Sequence, residues 1–355
     1  MRRMAAIVWL VLVAACGGRA PPATTAPQPP EPPSPPDHPQ PPPPPPTAAV
    51  CGGGRKLRIA FYDAGQALAA LVTLPDGRHI LVDAGESPKR CAECRQWNAR
   101  VLAGLASDLG EGGKIDLLWN THPHSDHLGG VPAVAAGFEI AAYADNGLRR
   151  DIAVVAAAEA AASSDASITV IEPGSVTVPL SVPEDVKLTA IVPPSWPRAC
   201  KSDPNACSIL LRIDYCASSV LFTGDAEADE EPLVLDQLAH ADLLQVGHHG
   251  SNTSTTPQFL AKVTPTYAVI SVGKQNEGTN LGYCHPNKST VDALTEVMGG
   301  PGAHSIRAYD SSTAKCNVQK PKYWVDAAAS DTLWSTARDG EVVLTTIGDG
   351  TFVRE

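Results

Sequence analysis

The sequence lacks an apolar stretch long enough to span a membrane, and it lacks local clusters of Lys and Arg. Its N-terminal apolar stretch, Ile7 to Val13, is far shorter than the roughly 20 residues of a membrane-spanning helix. Lys and Arg are scarce, 27 against 38 Asp and Glu, which gives a formal net charge of −11, and they form no local cluster. Tight binding to a long nucleic-acid duplex needs such clusters, so the composition disfavours a processive duplex-binding protein.

A second CxxC motif is also missing. Cys91-Ala92-Glu93-Cys94 has the spacing of a redox pair or of half a zinc site, but nothing completes a zinc knuckle. We therefore expect a local structural disulfide within an insertion. Apart from Cys16 the chain has an even number of cysteines, which predicts up to four disulfides in an exported protein, with a connectivity that the sequence does not fix. These are Cys51, Cys91, Cys94, Cys200, Cys207, Cys216, Cys284 and Cys316.

The N-terminus has the pattern of a lipoprotein signal. Arg2 and Arg3 precede the apolar stretch, and Ala14-Ala15 precede Cys16. This order predicts a signal peptide over residues 1–15 and a lipid on Cys16, the first residue of the mature chain. We expect an exported protein whose membrane partner is reached through this lipid anchor, at the periplasmic face or the surface of a bacterial envelope.

A proline-rich segment follows the predicted lipidation site. Residues 20–46 contain sixteen prolines, the last six of them consecutive. Such a segment cannot bury a core, so residues 16–54 are predicted to be a disordered, extended linker. A ligand for a proline-recognition domain is the alternative interpretation. No second linker occurs, so residues 55–355 are predicted to form one domain.

The segment Thr121 to Gly130, THPHSDHLGG, has the composition of a metal-binding loop. His122 and His124 are two residues apart, so on extended backbone both imidazoles project to one side. Asp126 and His127 lie around the turn, where they can reach a second ion. Imidazole and carboxylate ligands suit both zinc and manganese, so we expect two divalent metal ions, Zn or Mn.

Two later segments repeat the pattern of a short apolar strand that ends in ligand residues. Val220 to Asp225 ends in Thr-Gly-Asp, and Leu243 to Ser251 ends in Gly-His-His-Gly-Ser. Open α/β layers bind ligands beyond the carboxyl ends of their strands. The three segments therefore predict one shared site.

In their order the motifs resemble the metallo-β-lactamase superfamily, and within it the hydrolase domain of ComEC/Rec2-type DNA-uptake proteins, over about residues 56–355. The resemblance implies an α/β fold, a four-layer αββα sandwich in a single domain. The matching motifs are Asp63-Ala64-Gly65-Gln66, Leu81-Val82-Asp83-Ala84-Gly85, the metal loop, Asn205-Ala206-Cys207-Ser208, Thr223-Gly224-Asp225, His248-His249-Gly250-Ser251 and Tyr283-Cys284-His285-Pro286.

Two departures from the family pattern affect the site. Residues 128–224 contain no histidine, whereas many superfamily members have one there as a ligand of the first metal. Asn205, Ser208 or a water can take this place; Cys207 is a rival ligand, although a disulfide is favoured for it in an oxidising compartment. Ala67-Leu68 replaces the usual Gly-Asp, which removes an acid.

The resemblance implies a role for each remaining candidate residue. Asp83 orients a ligand or the attacking water, Asp126 serves as a catalytic residue as well as a ligand, and His285 contacts the scissile phosphate or protonates the leaving group. His249 is either a substrate contact or a packing histidine, and Cys284 braces this edge of the site through a disulfide. The metal ligands are His122 and His124 for the first ion, Asp126, His127 and His248 for the second, and Asp225 as the bridge; the substrate contacts are His249, Ser251, Asn252, Ser254, Asn205 and Ser208.

Periodicity and turn residues predict the main elements of the domain. The alanine-rich segment Ile152 to Ala162 is predicted as a helix. Predicted strands are Leu57 to Tyr62, Ala69 to Leu74, Ile80 to Val82, Ile115 to Trp119, Leu188 to Val192, Ile209 to Ile213, Val220 to Phe222, Leu243 to Val246 and Ala268 to Val272. Val342 to Thr346 with the turn Gly348-Asp349-Gly350 is predicted as a closing hairpin.

These observations together predict a metal-dependent phosphodiesterase or nuclease that acts on nucleic acids or nucleotides outside the cytoplasm through a metal-activated hydroxide. A lactam, lactone or thioester hydrolase of the same fold is one alternative. A non-catalytic envelope binding or scaffold protein with a degenerate metal site is another. The sequence indicates no protein partner.

Overall fold

The computed structural model describes residues 51–148, 152–164, 166–310, 316 and 321–355. The predicted signal peptide, Cys16 and the proline-rich part of the predicted linker lie outside the described residues. Among the helices of the described segments, none is both long and apolar enough to cross a membrane.

Short apolar segments between turn residues form the strands, and the helices range from single turns to the 18 residues of α1. The strands are β1 (Leu57–Phe61), β2 (Ala70–Thr73), β3 (His79–Val82), β4 (Lys114–Ile115), β5 (Leu117–Trp119), β6 (Glu139–Ile140), β7 (Ala142–Asp145), β8 (Ser167–Val170), β9 (Val186–Ile191), β10 (Leu210–Tyr215), β11 (Ser218–Phe222), β12 (Leu243–Gln245), β13 (Tyr267–Ile270), β14 (His304–Tyr309), β15 (Trp324–Ala329), β16 (Leu333–Ser335), β17 (Val342–Thr346) and β18 (Val353–Arg354). The helices are α1 (Ala92–Leu109), α2 (Ser125–Leu128), α3 (Val131–Gly137), α4 (Ala153–Ala162), α5 (Glu231–Val234), α6 (Pro257–Val263), α7 (Asn280–Tyr283), α8 (Lys288–Val297) and α9 (Thr336–Asp339).

Two large sheets form the centre of the fold. The first has the strand order β18-β17-β1-β2-β3-β5-β7-β8, and the second has the order β16-β13-β12-β11-β10-β9. Strands β3 and β5 are parallel, as are β11, β12 and β13. Within each sheet, parallel strands bring their carboxyl ends to the same edge, so the loops that follow β3 and β5, and those that follow β11 and β12, are neighbours.

Both faces of each sheet are covered, and alternate residues of single strands show this. In β11, Val220 and Phe222 pack in the core between the sheets, whereas Leu221 packs in a second core with residues of α6 and α8. In β1, Ile59 packs between the sheets and Ala60 packs in a third core with residues of α1, α3 and α4. Coverage of both faces explains why almost every residue of these two strands is buried. The layers are helix, sheet, sheet and helix, which confirms the predicted αββα sandwich.

The predicted elements are present, with one strand divided in two. The predicted helix corresponds to α4, and the closing hairpin corresponds to β17 and β18, which pair antiparallel. The predicted strand Ile115 to Trp119 is instead split at Asp116, whose carboxylate accepts from the backbone NH of His79 (2.9 Å). Before the split β4 pairs with β6, and after it β5 joins the first sheet.

Helix α1 was not predicted from the sequence, and it begins at the CxxC motif. Cys91 is the N-cap of this helix, and its sulfur accepts from the backbone NH of Cys94 (3.0 Å). Trp97, Val101 and Leu105 on one face are buried, with the spacing of an amphipathic helix. The predicted local disulfide is therefore present, and it begins a helix that packs on the first sheet.

Four disulfides are present among the described residues, the upper limit of the prediction. Cys207 bonds to Cys200, so it is not available as a metal ligand. The bridges are Cys51–Cys216, Cys91–Cys94, Cys200–Cys207 and Cys284–Cys316.

The Cys51–Cys216 bridge spans a sequence separation of 165 residues, and Cys91–Cys94 a separation of 3. A bridge that closes a longer loop removes more entropy from the unfolded chain. We expect Cys51→Ser with Cys216→Ser to lower the free energy of unfolding by about 2–4 kcal/mol, measured by denaturant titration. The matched pair Cys91→Ser with Cys94→Ser should lose about 2 kcal/mol or less. An equal or larger loss in the matched pair would contradict this explanation.

Candidate metal centre

The histidine-rich loop leaves the first sheet after β5 and turns into the short helix α2. The backbone NH of His124 donates to the carbonyl of His122 (3.0 Å) in a tight turn. Nε2 of His122 and Nδ1 of His124 lie 3.1 Å apart. Asp126 and His127 follow within α2. The loop thus presents four side chains with possible ligand atoms in one small volume.

Asp225 follows β11 and lies between the histidines. Its Oδ1 is 3.1 Å from Nε2 of His127, and its Oδ2 is 3.9 Å from Nε2 of His122. Glycine is required next to it, because Gly224 has φ +54° and a Cβ there would lie 2.6 Å from the side chain of Thr121. The absence of a side chain lets the end of β11 approach the metal loop.

The carboxylate of Asp83, at the end of β3, is buried beneath this cluster. Its Oδ1 accepts from the backbone NH of Thr121 (2.8 Å) and from Nδ2 of Asn120 (3.0 Å). Its Oδ2 lies 2.6 Å from Nδ1 of His127 and accepts from Oγ1 of Thr121 (2.8 Å). Because the Nδ1–H of His127 donates to Asp83, its Nε2 is free to bind a metal. The same threonine hydroxyl lies 3.1 Å from Nδ1 of His122.

His249 completes a second group of ligand atoms. Its Nδ1 donates to the carbonyl of Ser271 (2.7 Å), which leaves Nε2 free. That Nε2 is 3.3 Å from Nε2 of His127 and 3.5 Å from Oδ2 of Asp126. Two groups of three ligand atoms, each within 4.8 Å of one another, are therefore present: His122, His127 and Asp225, and Asp126, His127 and His249.

The structure corrects the sequence prediction for the second metal, because His249 and not His248 lies with Asp126. Both histidines have left-handed backbone, with φ +47° and +52°, and their rings diverge. Nδ1 of His248 is 2.8 Å from Glu227, and its Nε2 is 3.8 Å from Oδ2 of Asp225. The next residue, Gly250, packs so closely on Pro286 that a Cβ would lie 2.7 Å from it.

Asn205 lines the cavity beside the first metal position. Its Nδ2 is 3.2 Å from Nε2 of His248, and its Oδ1 is buried without a hydrogen-bond partner among the described residues. A buried acceptor left unpaired costs about 1–3 kcal/mol, and a cation would compensate it. Ser208 has another role: its hydroxyl donates to the carbonyl of Asn205 (3.1 Å) and accepts from the backbone NH of Asp225 (3.2 Å).

Burial and the neighbouring charges together set the pKa values of the side chains in the cluster. Burial lowers the pKa of His127, but Asp225 and Asp83 outweigh it and raise that pKa well above its ordinary value. Burial alone would raise the pKa of Asp225, but His127 and the neighbouring histidines hold it well below its ordinary value. Burial and the adjacent His127 lower the pKa of His122, which keeps this imidazole neutral. A metal must displace the proton of His127, so metal affinity falls as the pH falls.

His285 forms part of the cavity wall and has an unpaired nitrogen. The residue is buried, and its Nδ1 makes no hydrogen bond within the described part of the chain. Its ring centroid lies 5.2 Å from that of His248. Burial, with the adjacent histidines, lowers the pKa of His285 to about 3, so its ring is neutral near pH 7.

A cavity of about 170 Å³ opens onto the cluster. Of the predicted substrate contacts, Asn205 and His249 line it. Ser208, Ser251, Asn252 and Ser254 do not; the hydroxyl of Ser251, for example, contacts Oγ1 of Thr253 (2.8 Å) within its own turn. The lining residues are Gln66, Arg90, His124, Ser125, Asp126, Asn205, Asp225, His248, His249, Tyr283 and His285.

Four of the lining residues were not predicted as site residues. Gln66 stands in the opening motif quoted from the sequence, and its Oε1 accepts from the backbone NH of Gly273 (3.1 Å). Ser125 lies inside the metal loop, and Tyr283 directly precedes the predicted Cys284-His285 pair. These three residues lie within motifs that were recognised in the sequence, whereas Arg90 lies in none of them.

The residues present fit a pair of divalent ions. Imidazole nitrogens and carboxylate oxygens are ligands that zinc and manganese both accept. Hydrogen bonds at Nδ1 of His127 and His249 direct Nε2 of each ring into the site, as outer partners of ligating histidines do. Oδ1 of Asp225 is buried and lies 3.1 Å from Nε2 of His127, so a metal that displaces the proton of His127 would bind both atoms.

A sequence model described as the metallo-beta-lactamase superfamily matches residues 62–274. Recombination protein 2 of Haemophilus influenzae is 47% identical over 72 residues, which is 20% of this chain and 9% of that protein. Competence protein ComA of Neisseria gonorrhoeae is 28% identical over 246 residues, 66% of this chain and 29% of that protein. The chain thus matches less than a third of the length of either relative.

Two solved structures align with the chain at lower sequence identity. A diphosphatase of the PhnP family aligns with a TM-score of 0.38 and 14% identity, covering 61% of this chain and 85% of that chain. The short form of human tRNase Z aligns with a TM-score of 0.36 and 13% identity, covering 59% of this chain and 91% of that chain. Likeness at this level does not bear on function.

Asp83→Asn tests the support beneath the metal ligands. The amide oxygen can still accept from the backbone NH of Thr121. The amide NH₂ group then faces the Nδ1–H of His127, and this proton loses its acceptor. We expect metal affinity to fall about 10- to 100-fold, the usual cost of losing an outer partner of a ligating histidine. Competition with a chromophoric chelator measures this loss.

Asp242→Asn is the matched control. Asp242 is another buried carboxylate beside a histidine, 3.1 Å from Nε2 of His240, and its other oxygen accepts from the backbone NH of Ser219 (2.7 Å). It does not line the cavity. The control should lose stability and keep its metal affinity. An equal loss of affinity in both variants would show that Asp83 acts only through general stability.

Proposed function

The chain belongs to the metallo-β-lactamase superfamily, and we propose that it is a metal-dependent phosphodiesterase that cleaves nucleic acids or nucleotides. The observation that carries the proposal is the position of Asp225. Its Oδ1 lies 3.1 Å from Nε2 of His127, and its Oδ2 lies 3.6 Å from Nε2 of His249 and 3.9 Å from Nε2 of His122. A carboxylate within reach of ligand atoms of both groups is suited to bridge two divalent ions.

We assign each ligand from the distances within the cluster. The two ions, zinc or manganese, would lower the pKa of a shared water and stabilise both the attacking and the leaving oxygen of an in-line displacement. Nε2 of His122, Nδ1 of His124 and Asp225 would hold the first; Asp126, His127, His249 and Asp225 would hold the second.

The remaining side chains position the ligands and the substrate. Asp83 holds His127 in the tautomer that a ligand needs. Glu227 fixes Nδ1 of His248, so that its Nε2 faces the cavity. We assign to His285 a contact with a phosphate oxygen, because its ring lines the cavity and its Nδ1 has no other partner among the described residues. Asn205 supplies a second polar contact.

The relatives and the charge of the chain narrow the substrate class. Relatives named for recombination and for competence support a nucleic-acid substrate. The chain carries a net charge of −11, which opposes the approach of long polyanions. Short or single-stranded nucleic acids and nucleotides fit this charge better than long duplexes, which need clustered cations.

Hydrolysis of bis-p-nitrophenyl phosphate and of nitrocefin, assayed side by side, tests the reaction class. We expect turnover of the phosphodiester and little or none of the lactam. Asp225→Asn should lower phosphodiester turnover at least about 100-fold, because the shared anionic ligand is lost. Turnover of nitrocefin alone would overturn the proposal. Less than about one metal ion per chain under replete conditions would instead favour a binding or scaffold protein.

His285→Gln separates substrate contact from metal binding. We expect turnover to fall about 100-fold with the metal content unchanged, the usual effect of losing one donor to a reacting oxygen. His304→Gln is the matched control, since Nε2 of His304 contacts the carbonyl of Leu333 (2.9 Å) and the residue does not line the cavity. Loss of a metal ion in His285→Gln would show that His285 is a ligand.

We also propose that the protein is exported and held to a membrane by a lipid on Cys16. The four disulfides support export, because such bonds persist in oxidising compartments. Expressed in a bacterium, the chain should fractionate with membranes and dissolve only in detergent, whereas Cys16→Ser should lose the lipid modification. A wild-type chain recovered without lipid in the soluble fraction would contradict this proposal.

A further inference from the structure

Two side chains at the cavity have no part in the proposed reaction. Arg90 and Tyr283 both line the cavity that opens onto the metal cluster. Among the described residues that line it, Arg90 is the single Lys or Arg. Tyr283 is the single lining residue that combines a large aromatic ring with substantial exposure, at 48%.

Arg90 is an exposed cation on a fixed backbone. Its backbone NH donates to the carbonyl of Ser87 (3.0 Å), and the Cys91–Cys94 disulfide follows directly. Glu86 is a nearby buried acid, and its oxygens accept from the backbone NH of Ser87 (2.7 Å) and from Oγ of Ser125 (3.1 Å). Arg90 is exposed and lines the cavity, and its backbone is held by the hydrogen bond to Ser87 and by the disulfide that follows.

Tyr283 is an exposed ring on an equally fixed turn. The side chain of Asn280, at the start of α7, donates to the carbonyls of Gly273 and His285 (2.8 Å each) and accepts from the backbone NH of His285 (2.8 Å). Cys284 next to Tyr283 bonds to Cys316. Leu281 on the same turn is also 48% exposed. The turn is rigid, yet it presents apolar surface to solvent beside the metal cluster.

Arg90 and Tyr283 are neighbours, and one offers a cation while the other offers an aromatic ring. Burial and Asp126 raise the pKa of Tyr283, and the adjacent Arg90 partly offsets this. An aromatic ring stacks on a nucleobase without regard to its identity, and a guanidinium group binds phosphate oxygens through two parallel hydrogen bonds. The pair is thus matched to a ligand with an aromatic ring and a phosphate, in a chain of net charge −11.

We propose that Arg90 and Tyr283 form a nucleotide clamp, in which Tyr283 stacks on a base next to the scissile phosphate and Arg90 binds a phosphate of the same strand. The clamp rests on the proposed phosphodiesterase function and narrows its substrate to unpaired nucleotides, whose bases are free to stack. The rigid turns on both sides reduce the entropy lost when a substrate binds.

Affinity for cleavage-resistant ligands tests the clamp separately from the reaction. The probes are a short phosphorothioate oligothymidylate and its abasic analogue with the same number of phosphates, and fluorescence anisotropy gives Kd for each. The metal-loaded wild type should bind the base-bearing strand about 10-fold more tightly, within the range for one stacked base. Tyr283→Leu should abolish this preference, and Tyr283→Phe should retain it.

Arg90→Gln should weaken binding of both probes to a similar degree and reduce the dependence of Kd on salt, because a phosphate contact is lost. Arg95→Gln removes the same charge from an exposed position of α1 that does not line the cavity, and it should change little. Equal binding of the two probes by wild type, a preference that survives in Tyr283→Leu, or equal effects of Arg90→Gln and Arg95→Gln would overturn the clamp. The phosphodiesterase proposal is judged separately, by turnover of bis-p-nitrophenyl phosphate.

Discussion

The hydrogen bond between the buried carboxylate of Asp83 and Nδ1 of His127 is the interaction on which the metal centre depends. A buried charge is costly unless it is paired, and Asp83 is paired with a side chain and with the backbone of the metal loop at once. The same carboxylate receives the hydroxyl of Thr121, which contacts His122. One side chain at the end of β3 thus sets the orientation of two imidazoles in the neighbouring loop.

The overall fold and most of the centre could be predicted because their signals are local and periodic. Periodicity and turn residues indicated the strands, the order of the motifs implied the layered sandwich through the family resemblance, and ligand residues directly after strands indicated where the loops would meet. Asp83 was recognised in this way as a partner of the ligands, from its position at the end of a strand. The disulfide of Cys207 followed from the expected compartment, and the structure agrees.

The remaining features depend on backbone conformation and on contacts between distant segments, which no short motif reveals. His248 and His249 are identical neighbours, and only their left-handed backbone determines which ring reaches Asp126. Ser251 matches the family motif, but its hydroxyl is used within its own turn. Arg90 reaches the cavity because it lies just before α1, which packs on the first sheet. This helix was not predicted, because the cysteine spacing at its start indicated only a local disulfide.

The Cys51–Cys216 bridge has a mechanical consequence. Cys216 lies in the turn between β10 and β11, and Oη of Tyr215 donates to the carbonyl of Arg55 beside the bridge (2.8 Å). A pulling force applied through the residues before Cys51 is therefore transmitted to a hairpin of the second sheet. Strand β1, hydrogen-bonded on both sides within the first sheet, is shielded from that tension, whereas β11 receives the load at its start, the end opposite to Asp225.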